Sequence, residues 1–298
     1  MEKRQYGRTG MNVSILGLGG AEIGFQGITG EQADKLLGSA LDAGLNLIDT
    51  AECYAISEEL IGKTVRHRRD DYYLFTKCGH SSGIDLPDWD PALLEQSIDR
   101  SLSRLQTDYV DVIHLHSCSE DILRQGDVID VLKRAKEKGK TRFIGYSGDS
   151  SAALYAVQSG AFDSLETSIS IADQEAIELT LPEAAKRGMG VVVKRPIANA
   201  AWKTGKLPED EYPREYWRRL QELNYDFLDG GLSESVGTAL RFTLSIPGVH
   251  AAIVGTANPG RWLENAKLLE EGLLPRQQYE AIRTRWKEIA GADWVGQG

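Results

Sequence analysis

Asp49, Tyr54, Lys77 and His116 stand at or just beyond the ends of three apolar runs. Together they offer a carboxylate, a phenol, an ammonium and an imidazole. That set can deliver a proton to a carbonyl oxygen while the carbon accepts a hydride, and can steady the alkoxide as it forms. A free tyrosine, with a pKa of about 10, gives up its proton reluctantly at neutral pH. A nearby ammonium such as Lys77 favours the phenolate. Asp49 can fix and charge the lysine, and His116 can orient the carbonyl oxygen through a ring N–H. Taken singly, each residue has an ordinary role as turn former, packing ring or solvated charge. The argument for chemistry lies in four such residues at the carboxyl ends of consecutive strands. His114 is two residues before His116 and so faces the same way. It is expected one layer deeper, as a hydrogen-bonded interior residue.

These residues need a frame that brings strand ends together. Eight short β-rich apolar runs are predicted as strands, at 15–18, 46–49, 73–77, 110–116, 142–147, 164–167, 191–194 and 252–254. Helical periodicity falls at 31–43, 57–65, 91–105, 127–138, 151–159, 174–187, 233–244 and 259–269. Gly44, Gly139, Gly160 and Gly188 stand where helices should stop. Eight β–α repeats without a Pro/Gly/Ser-rich linker predict a single (β/α)8 TIM barrel spanning residues 1–298, with a doubly wound sheet as the runner-up. The segment 4–18 suggests strand, tight turn and strand, a hairpin closing the barrel floor. Two irregular stretches, 80–90 and 199–231, follow strands and so belong on the carboxyl rim, where barrel enzymes build substrate sites. They carry aromatic candidates for the pocket, as does the 22–25 segment: Phe25, Trp89, Trp202, Tyr212, Tyr216 and Trp217. Gly17-Leu18-Gly19-Gly20-Ala21-Glu22 nearly matches a dinucleotide fingerprint, but Glu22 replaces the third glycine.

Composition narrows the class. The 298 residues include 41% hydrophobic and 26% charged residues, as in an ordinary globular protein. No apolar stretch approaches the roughly 18 residues of a membrane span. The basic N-terminus lacks the apolar core of a secretory signal. A net charge of -10, from 34 basic and 44 acidic residues, argues against nucleic acid as a partner. Three widely spaced cysteines predict neither a disulfide framework nor a metal cluster, and fit a reducing, cytoplasmic setting. Cys53, Cys78 and Cys118 each fall within two residues of the proposed site, so one of them could react as a thiolate favoured by Lys77. Inert thiols are the plainer expectation.

Seven segments resemble the aldo-keto reductase family: 6–20 (YGRTGMNVSILGLGG), 46–62 (NLIDTAECYAISEELIG), 74–77 (LFTK), 108–116 (DYVDVIHLH), 143–147 (FIGYS), 188–196 (GMGVVVKRP) and 253–265 (IVGTANPGRWLEN). The resemblance spans nearly the whole chain. It implies a (β/α)8 barrel that reduces aldehydes and ketones with NADPH. Tyr54 would be the general acid, Asp49 and Lys77 would tune it, and His116 would orient the substrate. Gly255 and Thr256 lie before a helix that Asn258 and Pro259 should open, and a helix start attracts anions. The resemblance assigns Arg261 there to the 2′-phosphate of NADPH and Asn265 to the adenine.

Ser147, Glu166 and Lys194 occupy the positions expected to meet the nicotinamide, with departures from the family pattern. Ser147 is followed by Gly148-Asp149 instead of asparagine, Glu166 replaces a glutamine, and Lys194 replaces a stacking aromatic. A carboxylate accepts from an amide N–H2 but cannot donate to its oxygen. Lysine does not stack as an aromatic ring does, and Trp202 is a substitute ring to consider. The expected partner is a small-molecule carbonyl substrate, and the oligomeric state is left open. Two other functions fit less of the pattern: a cofactor-binding regulatory barrel with little turnover, and a Schiff-base lyase using Lys77.

Overall fold

A computed structural model describes residues 1–297. A two-stranded antiparallel hairpin, β1 (Lys3–Gln5) and β2 (Asn12–Ser14), precedes a closed barrel of eight parallel strands. These are β3 (Leu16–Gly19), β4 (Leu47–Asp49), β5 (Tyr73–Cys78), β6 (Val110–His116), β7 (Thr141–Ser147), β8 (Ser164–Ser168), β9 (Gly190–Lys194) and β10 (Ala251–Gly255). Each strand pairs with its predecessor, and β10 closes on β3 through Ala252 opposite Leu16. The eight expected strands are all present. The predicted (β/α)8 barrel is the fold.

The strands are buried on both faces, which explains their continuous apolar character. Outward side chains meet helices α1 (Ala21–Phe25), α2 (Gly30–Asp42), α3 (Ser57–Val65), α4 (Pro91–Leu105), α5 (Glu120–Gln125), α6 (Asp127–Glu137), α7 (Ser150–Ser159), α8 (Glu175–Leu179), α9 (Leu181–Lys186), α10 (Arg214–Leu223), α11 (Leu232–Leu244), α12 (Arg261–Leu268) and α13 (Arg276–Ile289). Local chemistry sets their starts. Thr29 and Gln32 form a reciprocal capping box on α2, and Asp90 caps α4 with Pro91 in its first turn. Among the described residues, no helix is long and apolar enough to cross a membrane.

Several boundaries differ from the sequence expectation. The helix predicted over 174–187 breaks at Thr180, where φ widens to -108° between α8 and α9. Pro182 follows in the first turn of α9, where its missing N–H is harmless. The strand predicted to run through residue 15 bends at Ile15, whose N–H turns to Glu2 O in the hairpin. Helix α12 starts at Arg261, not at Pro259, because Asn258 spends its side-chain oxygen on a turn to Gly260 N at 2.9 Å. α1, α5, α10 and α13 were not expected; α10 lies inside the stretch predicted as irregular.

The barrel interior has its own apolar floor. Tyr6, Met11 and Val13 of the hairpin segment pack with Leu47, Phe75, Val112, Val192, Ala251 and Ile253. The predicted floor hairpin is therefore present. Arg4 pins it with bonds to Leu244 O at 2.9 Å and Val249 O at 3.0 Å. Gly7 has a φ of +52°, and a Cβ there would come 2.3 Å from Gly190 N, so glycine is required on both counts. Gly190 in turn faces the Tyr6 ring: a Cβ would lie 2.2 Å from Cε1. Gly190→Ala is expected to destabilise the protein by about 1–3 kcal/mol through this overpacking. Urea unfolding would show a lowered midpoint, and an unchanged midpoint would contradict the packing of the floor.

Candidate active site

The carboxyl ends of β4 to β10 converge on one mouth, and β4 to β9 each contribute a polar residue. Lys77 of β5 is almost fully buried and bonds Asp49 Oδ2 at 2.5 Å and Thr50 O at 3.1 Å. It also lies 3.2 Å from Glu166 Oε2 of β8. Burial alone would strip the lysine of its proton, but the two carboxylates hold its pKa above the ordinary range. The carboxylates must share a single counter-charge, and they titrate as a pair. Burial and the neighbouring Glu166 raise Asp49, despite Lys77. Glu166, against the pull of burial, is held down to about 2 by Lys77 and by the surrounding basic groups.

Tyr54 comes from the turn after β4. Its N–H bonds Ala51 O, and its carbonyl accepts from Ser57 N at 2.9 Å as α3 begins. Gly24 of α1 lies against this turn, where a Cβ would sit 2.0 Å from Tyr54 O. The Lys77 ammonium is 5.4 Å from the centroid of the Tyr54 ring, and the His116 ring is 5.7 Å away in an edge-on arrangement. Burial raises the Tyr54 pKa; Lys77 opposes that rise, and the two carboxylates add to it. Burial, then Lys77, pushes His116 well below the usual imidazole range, so it is neutral. The four residues singled out by their spacing are therefore gathered at one mouth. His114 is fully buried one layer below, 2.8 Å from Ser164 Oγ, as expected.

The three departures meet one another. Lys194 of β9 pairs with Asp149 at 3.2 Å. Asp149 also accepts from Thr167 Oγ1 at 2.8 Å, Ser168 N at 2.7 Å and Ser168 Oγ at 3.0 Å. These contacts, led by Lys194, overcome burial and keep Asp149 below its usual range. Ser147 Oγ and Glu166 Oε2 are buried without a hydrogen-bond partner. The chain's last described residues fold over this cluster. Val295 O accepts from Arg219 at 2.9 Å, Gly296 N donates to Glu175 at 2.9 Å, and Gln297 O accepts from Arg195. Trp202 is not a free ring: it is buried, and its indole N–H is bonded to Ser235 Oγ at 2.9 Å. Tyr216 is likewise buried, whereas Phe25 and Tyr212 are exposed at the rim.

At the far end of the rim, Gly255 ends β10 and Thr256 Oγ1 accepts from Asn258 N at 3.0 Å. Arg261 opens α12, half exposed, paired only with Glu264 at 2.9 Å. Asn265 is buried one turn further on. Glu22 leans against Gly255, and burial raises its carboxyl pKa.

Two residues on the mouth carried no recognisable signal in sequence. Glu52 is buried, and its carboxylate accepts from Cys53 N at 3.0 Å and His80 N at 3.1 Å. Burial pushes it up to about 7. His80 is held by Asp88 at 2.8 Å and lies 5.2 Å, ring to ring, from His116. All three cysteines are free thiols. Burial and Glu52 push Cys53 up to about 12, outweighing Lys77, while Cys78 and Cys118 are buried and also raised. Lys77 therefore does not make a resting thiolate of any of them.

A closed eight-stranded barrel with an ionised lysine, a carboxylate, a tyrosine and a histidine at its mouth defines a class of carbonyl-handling barrel proteins. Residues 15–287 match the Aldo/keto reductase family, and the chain belongs to it. It is 28% identical to the L-galactose dehydrogenase of Arabidopsis thaliana, over 91% of this chain and 89% of that protein. It is 26% identical to the uncharacterized oxidoreductase YqkF of Bacillus subtilis, over 97% of each. The holo-form structure of an aldo-keto reductase from Bacillus halodurans superposes with a TM-score of 0.81, at 26% identity over 99% of both chains. The family match makes this chain an oxidoreductase.

The rim also holds a group with a measurable pH signature. Burial, reinforced by Asp149, pushes Asp173 up to about 8, although Tyr216 OH donates to it at 3.2 Å. Its folded pKa is raised, so its contribution to stability is complete below the unfolded value of about 3.9. That contribution is lost progressively as pH rises to about 8. Asp173→Asn cannot ionise. It is expected to unfold at higher temperature than wild type at pH 8, with no such gain at pH 4. Parallel melting curves at both pH values would contradict the assignment.

Proposed function

We propose that this protein is an NADPH-dependent reductase of small aldehydes or ketones, with Tyr54 as general acid. The observation that carries this is the Tyr54 ring set between the Lys77 ammonium at 5.4 Å and the neutral His116 ring at 5.7 Å. Lys77 is fixed by Asp49 and Glu166, so its charge acts on the phenol from one position. Tyr54 keeps its proton at neutral pH and passes it to the carbonyl oxygen as charge develops there. His116, being neutral, can donate a hydrogen bond to that oxygen without competing for the proton.

The residues of the rim fit the cofactor. Bound NADPH would supply the hydride. Ser147 Oγ is a buried polar atom without a hydrogen-bond partner, suited to a carboxamide, and Lys194 has ammonium donors beyond the one used by Asp149. Lys194 can donate to an amide oxygen where Glu166 can only accept, so the two can divide the work of one glutamine. Arg261, exposed at the start of α12, would exchange its surface pair with Glu264 for a phosphate gripped bidentately. Gly255 and Thr256 lie beside it, and Asn265 is placed toward the base. The free cysteines and the acidic charge favour a cytoplasmic protein whose partner is a small carbonyl compound and not nucleic acid.

Tyr54→Phe is expected to lower kcat for a reactive aromatic aldehyde by roughly 10²–10⁴-fold, with NADPH binding, followed by fluorescence, unchanged. Tight NADPH binding by a wild type that turns over no aldehyde would favour a regulatory barrel instead. Arg261→Ala is expected to weaken NADPH about 10–100-fold, the scale of a lost charged hydrogen bond, and to leave NADH affinity unaltered. Equal weakening of both cofactors would remove Arg261 from the 2′-phosphate.

A further inference from the structure

We propose that Glu52, Cys53 and His116 form a binding site for a thiophilic divalent cation such as Zn²⁺, and that its occupation closes the mouth of the barrel. Cys53 Sγ lies 3.4 Å from His116 Nδ1. A tetrahedral zinc ion bound to one sulfur and one nitrogen sets those two atoms about 3.5 Å apart, so the pair already spans one edge of a coordination tetrahedron. A carboxylate oxygen of Glu52 lies within 4.8 Å of both. Glu52 is held in place by the backbone N–H groups of Cys53 and His80, and each of its oxygens keeps a lone pair. Sulfur, imidazole and carboxylate together suit zinc far better than magnesium or calcium.

The surroundings support the site. His80 stands 5.2 Å, ring to ring, from His116, with Nδ1 bonded to the Asp88 carboxylate at 2.8 Å. A carboxylate that orients a histidine in this way is the usual outer support of a metal ligand. A water can take the fourth position. Among the described residues there is one other cluster of suitable groups, Asp49, His114 and Glu166. That cluster already contains a cation, the Lys77 ammonium at 2.5 Å from Asp49 and 3.2 Å from Glu166. The mouth site has no such occupant within it, and the acidic chain, at -10, concentrates cations near its surface. On binding, the Cys53 S–H bond breaks, a zinc–sulfur bond forms, and the proton leaves to water; nothing is oxidised or reduced. The metal takes Nδ1 of His116 and fixes that ring beside Tyr54, where a carbonyl compound would have to enter. This closing effect rests on the reductase reading above, whereas the binding does not.

Calorimetric titration of the full chain with zinc chloride is expected to show one equivalent bound with a dissociation constant of about 10 µM or tighter. Cobalt(II) should produce a thiolate-to-cobalt charge-transfer band in the near ultraviolet. Cys53→Ser should abolish the band and weaken zinc at least tenfold, and Glu52→Gln should weaken zinc while keeping the band. Absence of one-equivalent binding, or binding of equal strength in Cys53→Ser, would overturn the site whatever the enzyme does. If aldehyde reduction is present, zinc should inhibit it, a chelator should restore it, and the residual activity of Cys53→Ser should resist zinc. Zinc bound through Cys53 without inhibition would overturn the closing effect alone.

Discussion

One ammonium, sealed in the barrel with two carboxylates, is the constraint on which the site depends. Lys77 is ionised in a place where burial opposes ionisation, so Asp49 and Glu166 must stay beside it. Removing both would leave its charge uncompensated in the interior, an expensive state. The requirement reaches to the floor of the barrel through a polar column. Glu166 lies 3.9 Å from His114, His114 bonds Ser164 at 2.8 Å, and Ser164 meets the Tyr6 hydroxyl at 2.6 Å. Tyr6 belongs to the hairpin segment that fills the floor with apolar side chains. The hairpin thus closes the barrel with its ring and ends the chain of polar contacts with its hydroxyl.

The same reasoning explains the rim. Considered one at a time, Glu166 and Lys194 put charge where the resemblance leads one to expect neutral groups, and Asp149 adds a third charge beside Gly148. In the structure Asp149 and Lys194 are partners, and Thr167 and Ser168 complete the acceptor's shell. Glu166 is compensated by Lys77. Two of these charges thus match each other, and the third is matched by the site lysine. Pairing of this kind is invisible to a position-by-position reading because the partners are far apart in sequence.

How much was legible follows from the range of the interactions involved. The barrel was, because strands buried on both faces must be apolar and helices between them must be amphipathic, and both patterns are local. So were Asp49, Tyr54, Lys77 and His116, because the end of a strand in a parallel barrel is a place in space as well as in sequence. The start of α12 was not, since Asn258 could cap a helix or form a turn and its side chain chose the turn. The break at Thr180 was hidden because helical periodicity continues across it. The failure of Trp202 as a ring partner depends on Ser235, 33 residues away. The neighbourhood of Glu52, Cys53, His80 and His116 joins three segments and left no trace in spacing.

Charge matching also decides which groups remain free to act. Lys77 and Lys194 are paired with carboxylates, Asp149 is enclosed by donors, and Glu52 is fixed by two backbone N–H groups. Tyr54, His116 and Cys53 are left, all neutral, all bearing or accepting a single proton, and all within one short stretch of the mouth. A mouth built this way does its work by moving protons between neutral groups under the fixed field of Lys77. It has no mobile charge of its own to place on a substrate, so any ionic ligand must bring a charge that these three groups can absorb. In the proposed reduction a developing alkoxide does so by taking a proton from Tyr54. A soft cation does so by releasing one from Cys53. The two events draw on the same neutral set, and His116, adjacent to both Tyr54 and Cys53, cannot serve both at once.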